Sequence, residues 1–201
     1  MNLAVLASGY GSNLQAIIDA VDKGEIEGHI KVVISDVKDA YALQRARRHG
    51  IEAVFIDIKD YSGREAYNEA IAAVLEKRKV ELIVLAGYMR LVSPLIINKF
   101  RGRIMNIHPS LLPSFPGLEG IKQALDYGVK VSGCTVHLVD EGLDTGPIIL
   151  QESVPVYDDD TVESLQNRIH KVEHRLYPRA IQLFIQGKLS IEGRKCFRNE
   201  G

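Results

Sequence analysis

Over the first hundred residues, short and wholly apolar runs alternate with stretches of helical periodicity. Residues 3–7 read as a strand, followed by the polar, glycine-bearing stretch Ser8-Gly9-Tyr10-Gly11-Ser12-Asn13. Leu14, Ile17, Ile18 and Val21 then recur at helical spacing. Residues 29–35 predict a second strand, residues 40–49 a helix with Gly50 as its C-cap, and residues 51–56 a third strand. Residues 62–77 are expected to be helical, with Ala66, Ala70, Ala73 and Val74 on one face. Residues 82–86 form a continuous apolar run, as in a strand covered by helices on both faces. This βαβαβαβ succession predicts an α/β fold built on a doubly wound, mostly parallel sheet.

The rhythm changes in the second half. Residues 94–100 predict a short helix and residues 103–108 a strand ended by Pro109. Residues 110–120 contain two prolines and two glycines and read as an irregular loop, followed by a helix over residues 121–127. Residues 131–140 and 147–156 are β-rich and separated by Glu141-Gly142-Leu143-Asp144-Thr145-Gly146, which predicts a long C-terminal hairpin added to the sheet. Residues 161–186 predict a long amphipathic helix capped by Thr161 and stopped by Gly187. Residues 188–201 read as a short strand and a loose tail. No repeat, low-complexity segment or linker interrupts the chain, so one domain over residues 1–201 is expected. Residues 1–100 would be its first half, 101–189 its second and 190–201 its tail.

Composition narrows the function classes. With 201 residues, 46% hydrophobic and 25% charged, the chain has the balance of a globular protein that needs no disulfide or metal to hold a core. Lys plus Arg number 25 against 26 Asp plus Glu, a net charge of -1, which predicts neither nucleic-acid nor membrane-surface binding. Apolar runs such as residues 82–86 are far too short to span a bilayer, and the N-terminus lacks the basic region of a signal peptide. Cys134 and Cys196 are scattered, as suits a reducing cytoplasm. The six histidines and two cysteines form no metal-ligand spacing, so no metal is expected.

Ligands of open parallel sheets bind beyond the carboxyl ends of the strands. The first such end is Gly9-Tyr10-Gly11-Ser12-Asn13-Leu14, where glycines permit close backbone approach and a helix N-terminus offers N–H groups to an anion. A phosphate site and a tight turn with an ordinary N-cap both fit. Leu14 stands where a dinucleotide fingerprint requires its third glycine, although Asp36 after the second strand could mimic a ribose-binding acid. At the end of the fifth strand, Asn106 and His108 share one face, an amide donor beside an imidazole. Such a pair can stabilise an oxyanion and move a proton, or be satisfied by loop backbone. Asp144, 36 residues after His108, would raise and orient the imidazole if they touch; spacing alone favours a hairpin turn. By default His137 and His174 are packed histidines, Glu173 is a solvated helix residue and Arg64 a surface one. Neither cysteine follows a nucleophile signature, and no Gly-x-Ser-x-Gly elbow occurs.

Four segments carry a resemblance. They are Ala7-Ser8-Gly9-Tyr10-Gly11-Ser12-Asn13-Leu14-Gln15-Ala16, Ala86-Gly87-Tyr88-Met89-Arg90, Asn106-Ile107-His108-Pro109-Ser110-Leu111-Leu112-Pro113 and Val139-Asp140-Glu141-Gly142-Leu143-Asp144-Thr145-Gly146-Pro147-Ile148. Over residues 1 to about 189 the chain resembles the phosphoribosylglycinamide formyltransferases, folate-dependent transferases of purine biosynthesis. The Asn-x-His-Pro-Ser-Leu-Leu-Pro and Asp-x-Gly-Pro motifs of the third and fourth segments are shared across 10-formyltetrahydrofolate enzymes, whereas Ser-Gly-x-Gly-Ser-Asn-Leu is more specific to the glycinamide ribonucleotide branch.

The resemblance implies a Rossmann-like formyltransferase fold and formyl transfer from the co-substrate 10-formyltetrahydrofolate to the amine of glycinamide ribonucleotide. Transfer would run by direct attack through a tetrahedral intermediate. It implies that Asn106, His108 and Asp144 are catalytic, that Gly11, Ser12 and Asn13 hold the substrate phosphate, and that Glu173 holds its ribose. The folate would meet Arg64, Met89, Arg90, Leu91, Val92, Asn106, Asp140, Glu141, Gly142, Leu143 and Asp144. A cytoplasmic enzyme, monomeric or weakly dimeric, is implied, without nucleic-acid or membrane partners. Two positions depart from the pattern: Ile121, where many members carry His, and His170, at a position that varies beside the ribose contact. A formyltetrahydrofolate hydrolase and a non-catalytic nucleotide- or folate-binding module are the alternatives. The hydrolases usually carry an extra N-terminal domain and the methionyl-tRNA enzymes an extra C-terminal one, and the chain is expected to have neither.

Overall fold

The computed structural model describes residues 1–199 and divides the chain into two compact units, Met1–Met105 and the residues from Asn106 onward. In the first unit β1 (Asn2–Leu6), β2 (His29–Ser35), β3 (Glu52–Phe55) and β4 (Leu82–Leu85) lie in the order β3-β2-β1-β4, all pairing in parallel. The connections are α1 (Ser12–Asp22), α2 (Tyr41–Arg48) and α3 (Arg64–Lys77), and α4 (Pro94–Lys99) follows β4. β4 is buried at every residue and β1 from Leu3 on, as sheets covered on both faces require. β2 and β3 are laid on one side of β1 and β4 on the other, so the winding reverses between β1 and β4. Their carboxyl ends are therefore the place where a doubly wound sheet opens to a ligand.

Two local expectations change. A short 3-10 helix, Ile58–Asp60, precedes α3, started by Asp57 accepting the Lys59 N–H. The buried stripe of α3 is Tyr67, Ile71, Ala72 and Leu75, while Ala73 is exposed and Ala66, Ala70 and Val74 are only partly covered. The bulkier side chains at i, i+4 and i+8 take the interior because they remove more apolar area from water than the alanines do.

β5 (Ile104–His108) begins in the first unit and ends in the second. The second unit continues with α5 (Gly120–Tyr127), β6 (Val131–Leu138), β7 (Ile148–Pro155), α6 (Val162–Ile185), β8 (Leu189–Glu192) and β9 (Lys195–Arg198). β6 and β7 form the expected antiparallel hairpin, with a register shift between Val136 and His137. α6 lies against both strands and against α5. Thr161 caps it in a reciprocal box with Ser164. Instead of a loose tail, β8 and β9 pair antiparallel across a turn with Gly193 at φ 59°, and β9 adds in parallel to β7. Residues 200 and 201 of that expected tail lie outside the described residues. The fold is thus the α/β, doubly wound, mostly parallel architecture with an added hairpin and a long C-terminal helix. Among the described residues no helix is long and apolar enough to cross a membrane.

The revised face of α3 gives a direct check by urea unfolding. Leu75, fully buried, should cost about 3 kcal/mol when replaced by Ala. Ala73→Lys, on the exposed side, should shift stability by less than about 0.5 kcal/mol.

Candidate active site

In the first unit the loops after β1 and β4 meet at the winding reversal. Gly11 takes a left-handed φ of 73° and serves as N-cap of α1 without a side-chain bond. A Cβ there would lie 2.9 Å from Ala42 Cβ, so the loop packs directly on α2. The first helical bond runs from Gln15 N–H to Gly11 O, which leaves the N–H groups of residues 12–14 at the helix mouth outside the helical ladder. No acidic side chain occupies that first turn. The residues 11–13 expected to bind phosphate thus form a positive helix end with close backbone approach. Arg45 braces the loop, donating from Nε to Tyr10 O at 3.0 Å and lying over the stacked rings of Tyr10 and Tyr41.

Met89, Arg90, Leu91 and Val92 follow β4, with Met89 62% and Leu91 68% exposed, apolar surfaces left open at a strand end. Gly87, at φ 73°, lets the chain turn there. Arg64 opens α3 and is exposed; Tyr67, one turn on, has its ring centroid 5.7 Å from the Arg90 guanidinium. Asp36 does not stand free as a ribose-binding acid would. Its carboxylate accepts from Ser8 Oγ at 2.6 Å and from Arg90 Nε at 2.8 Å.

The second unit brings together the three residues that spacing alone could not join. Asn106 and His108 share one face of β5, and His108 is 4% exposed. His108 Nδ1 lies 3.5 Å from Asp144 Oδ2, and its Nε2 is 2.8 Å from Phe115 O. Asp144 also accepts the Gly117 N–H at 2.8 Å. It sits at φ 54°, a left-handed conformation that costs a residue with a Cβ about 1–2 kcal/mol. Such strain persists where the surroundings over-determine it, often at functional positions.

The loop that presents Asp144 depends on close glycine packing. Asp140 Oδ1 accepts from Gly142 N–H and Thr145 Oγ1. A Cβ on Gly142 would fall 2.0 Å from Thr145 Oγ1, and one on Gly146 would fall 1.8 Å from Leu138 O. Leu143 is half exposed between them. The Asp140–Asp144 stretch is therefore a preshaped backbone loop in which Glu141, Gly142 and Leu143 follow from its geometry.

Two residues read as ordinary in the sequence take a different place. His137 is buried at 2% exposure, beside the register shift in β6 that re-aims its side chain. Its Nδ1 donates to Leu138 O at 2.8 Å, which leaves Nε2 to accept from Asn106 Nδ2 at 3.3 Å. Burial holds its pKa below the ordinary histidine value and outweighs the opposing Asp144 carboxylate at 3.7 Å, so the ring is neutral. His137 thereby sets which way the Asn106 amide faces; the alternating polar residues Thr135 and His137 in an apolar strand were the available signal. Glu173, expected to be solvated, is 3% exposed within the apolar stripe of α6, with His170 Nε2 at 3.9 Å. A carboxylate on a buried helix face is costly unless it has a task. Burial pushes the Cys134 thiol up to about 12, so it cannot serve as a thiolate. Among the described residues no group of three His, Cys, Asp or Glu side chains is arranged to hold a metal ion.

With this geometry in hand, the similarities to known proteins take their place. The family model described as formyl transferase matches residues 1–181. The phosphoribosylglycinamide formyltransferase of Escherichia coli strain K12 is 42% identical over 191 residues, 95% of this chain and 90% of that protein. A crystal structure of glycinamide ribonucleotide transformylase 1 from Symbiobacterium toebii agrees with a TM-score of 0.98 at 54% identity, covering 100% of this chain and 94% of that one. The trifunctional purine biosynthetic protein adenosine-3 of Drosophila melanogaster is 50% identical over 187 residues, 92% of this chain, which spans 14% of that protein.

Gly11→Ala should be doubly disfavoured, by the left-handed backbone and by Ala42, and should lower stability by about 2–3 kcal/mol while weakening binding of a phosphate monoester. The neutral, buried His137 gives a pH signature. Its folded pKa is depressed, so its stabilisation is complete above the unfolded value of 6.5 and is lost as pH falls from there toward the folded value. His137→Gln should flatten the fall in stability below that pH, measured by urea midpoints across a pH series.

Proposed function

This chain belongs to the formyl transferase family, and from that premise we propose that it transfers the formyl group of 10-formyltetrahydrofolate to the amine of glycinamide ribonucleotide. The observation that carries the proposal is the meeting of Asp144 with the His108 imidazole, beside an Asn106 that shares the strand face of His108 and is held by His137. The similarity to the Escherichia coli phosphoribosylglycinamide formyltransferase and the Symbiobacterium glycinamide ribonucleotide transformylase supports this choice of acceptor. The Drosophila name supports a place in purine biosynthesis, for which the cytoplasm is the proposed setting.

Bound formylfolate supplies an electrophilic formyl carbon on N10. The acceptor amine forms a bond to that carbon, the bond from carbon to N10 breaks, and one proton passes from the amine to N10. Asn106, with one amide hydrogen turned to His137, keeps its other N–H for the formyl oxygen. Protonated His108 presents Nε2–H to the same developing negative charge when substrate replaces the Phe115 carbonyl. Asp144, 3.5 Å from His108 Nδ1, balances the imidazolium and is the group proposed to relay the amine proton through water. No enzyme nucleophile is needed. Residues 11–13 are assigned to the acceptor phosphate and Glu173 to its ribose hydroxyls. Residues 89–92 and 140–144 receive the folate largely through backbone groups, with Arg64 supplying positive charge.

His108→Ala is the decisive variant. Turnover should fall by at least about 10²–10³-fold while a folate still quenches protein fluorescence with nearly unchanged affinity. Unchanged turnover would remove the imidazole from the reaction. Deformylation that proceeds without the ribonucleotide would identify a hydrolase instead.

A further inference from the structure

The Asp36 carboxylate commits both of its oxygens to donors at the carboxyl ends of the first unit's strands. β2, β1 and β4 are neighbours and parallel, so Asp36, Ser8 and residues 87–90 leave the sheet side by side. Ser8 Oγ donates to Asp36 Oδ1 at 2.6 Å and accepts the Met89 N–H at 2.9 Å. Asp36 Oδ2 accepts from Arg90 Nε at 2.8 Å. The Ser8 N–H adds a bond to Gly87 O at 3.0 Å. The Asp36 side chain is 7% exposed against 40% for Arg90, so the carboxylate is withdrawn from water and the guanidinium covers it. Tyr67 closes the cluster, its ring under Arg90 and its hydroxyl 3.1 Å from that of Tyr88.

We propose that Asp36 is a positioning residue for the formyl donor: through Ser8 and Arg90 it holds residues 89–92 in the conformation that accepts the folate. This rests on the reading of residues 89–92 as the donor segment. One carboxylate has two acceptor atoms, and here each meets a donor anchored to that segment or to the hydroxyl that binds it. Both bonds are charge-assisted and sheltered, which makes them stiffer than surface pairs. An asparagine of the same shape offers one acceptor and turns two N–H groups toward a second donor. An alanine leaves the Ser8 hydroxyl and the Arg90 guanidinium without their shared partner. The chemical step is assigned to Asn106, His108 and Asp144, so the effect of Asp36 should fall on donor affinity and spare that step.

The test is steady-state kinetics on the full chain with each substrate varied in turn. Asp36→Asn and Asp36→Ala should raise the KM for the 10-formyl folate about tenfold while kcat and the KM for the ribonucleotide stay within about twofold. Ser8→Ala should do the same, and Ser8→Thr, which keeps the hydroxyl, should restore the wild-type value. Urea midpoints taken alongside separate misfolding from misplacement, and Asp36→Asn is the variant of conserved shape. A donor KM unchanged in both Asp36 variants overturns the proposal, as does an equal rise in both substrates' KM. Leu91→Ala distinguishes the two readings. If it raises the donor KM and the Asp36 variants do not, the donor segment stands and the role of Asp36 falls. If Leu91→Ala also leaves the donor KM unchanged, the segment reading fails and the proposal with it.

Discussion

A parallel strand covered on both faces admits no unpaired polar side chain until it ends. β4 and nearly all of β1 obey this, with buried residues between 0 and 6% exposed, and only then do Ser8, Tyr88 and Arg90 appear. The same constraint makes each polar group near a strand end answer to a partner, because an unsatisfied buried donor costs about 1–3 kcal/mol. Ser8 is therefore bonded to Asp36 and Met89, and Asn106 to His137, while His108 lies between Phe115 O and Asp144. Chemistry collects at the ends of the sheet because the interior of the sheet excludes it.

That exclusion is why so much was legible in the sequence. Continuous apolar runs at residues 3–7 and 82–86 could belong only to buried strands, and the strands β1, β2, β4 and β5 lie within a residue of where the pattern put them. Asn106 and His108 were conspicuous as polar residues on one face of such a strand. Gly11 stood out because few other residues adopt its backbone angle or fit so near Ala42. In each case a local physical rule leaves few residue types that fit.

What was not legible depends on contacts between distant segments. Whether Asp144 meets His108 turns on the hairpin loop and on the left-handed backbone at Asp144, neither of which spacing reveals. His137 looked like a packed histidine, and it is packed, but the register shift beside it and the Leu138 carbonyl turn its free nitrogen to Asn106. Glu173 looked solvated because helix periodicity places a residue on a face without saying what covers that face. The stripe of α3 was misplaced for the reverse reason: alanines matched the period, but tyrosine, isoleucine and leucine had more area to bury. Asp36 read as a possible ribose acid, and only its distances to Ser8 and Arg90 show it is committed elsewhere.

In the proposed reaction Asn106, His108 and Asp144 stabilise negative charge on a carbonyl oxygen while a proton moves between two nitrogens. The most direct measurement is carbon NMR of the reaction with a donor labelled with 13C at the formyl carbon. Direct transfer requires the label to leave the folate and reappear as an N-formyl signal on the ribonucleotide, at the rate the donor is consumed and without free formate. Labelled formate as the main product, or a donor signal that stays unchanged with both substrates present, would contradict it.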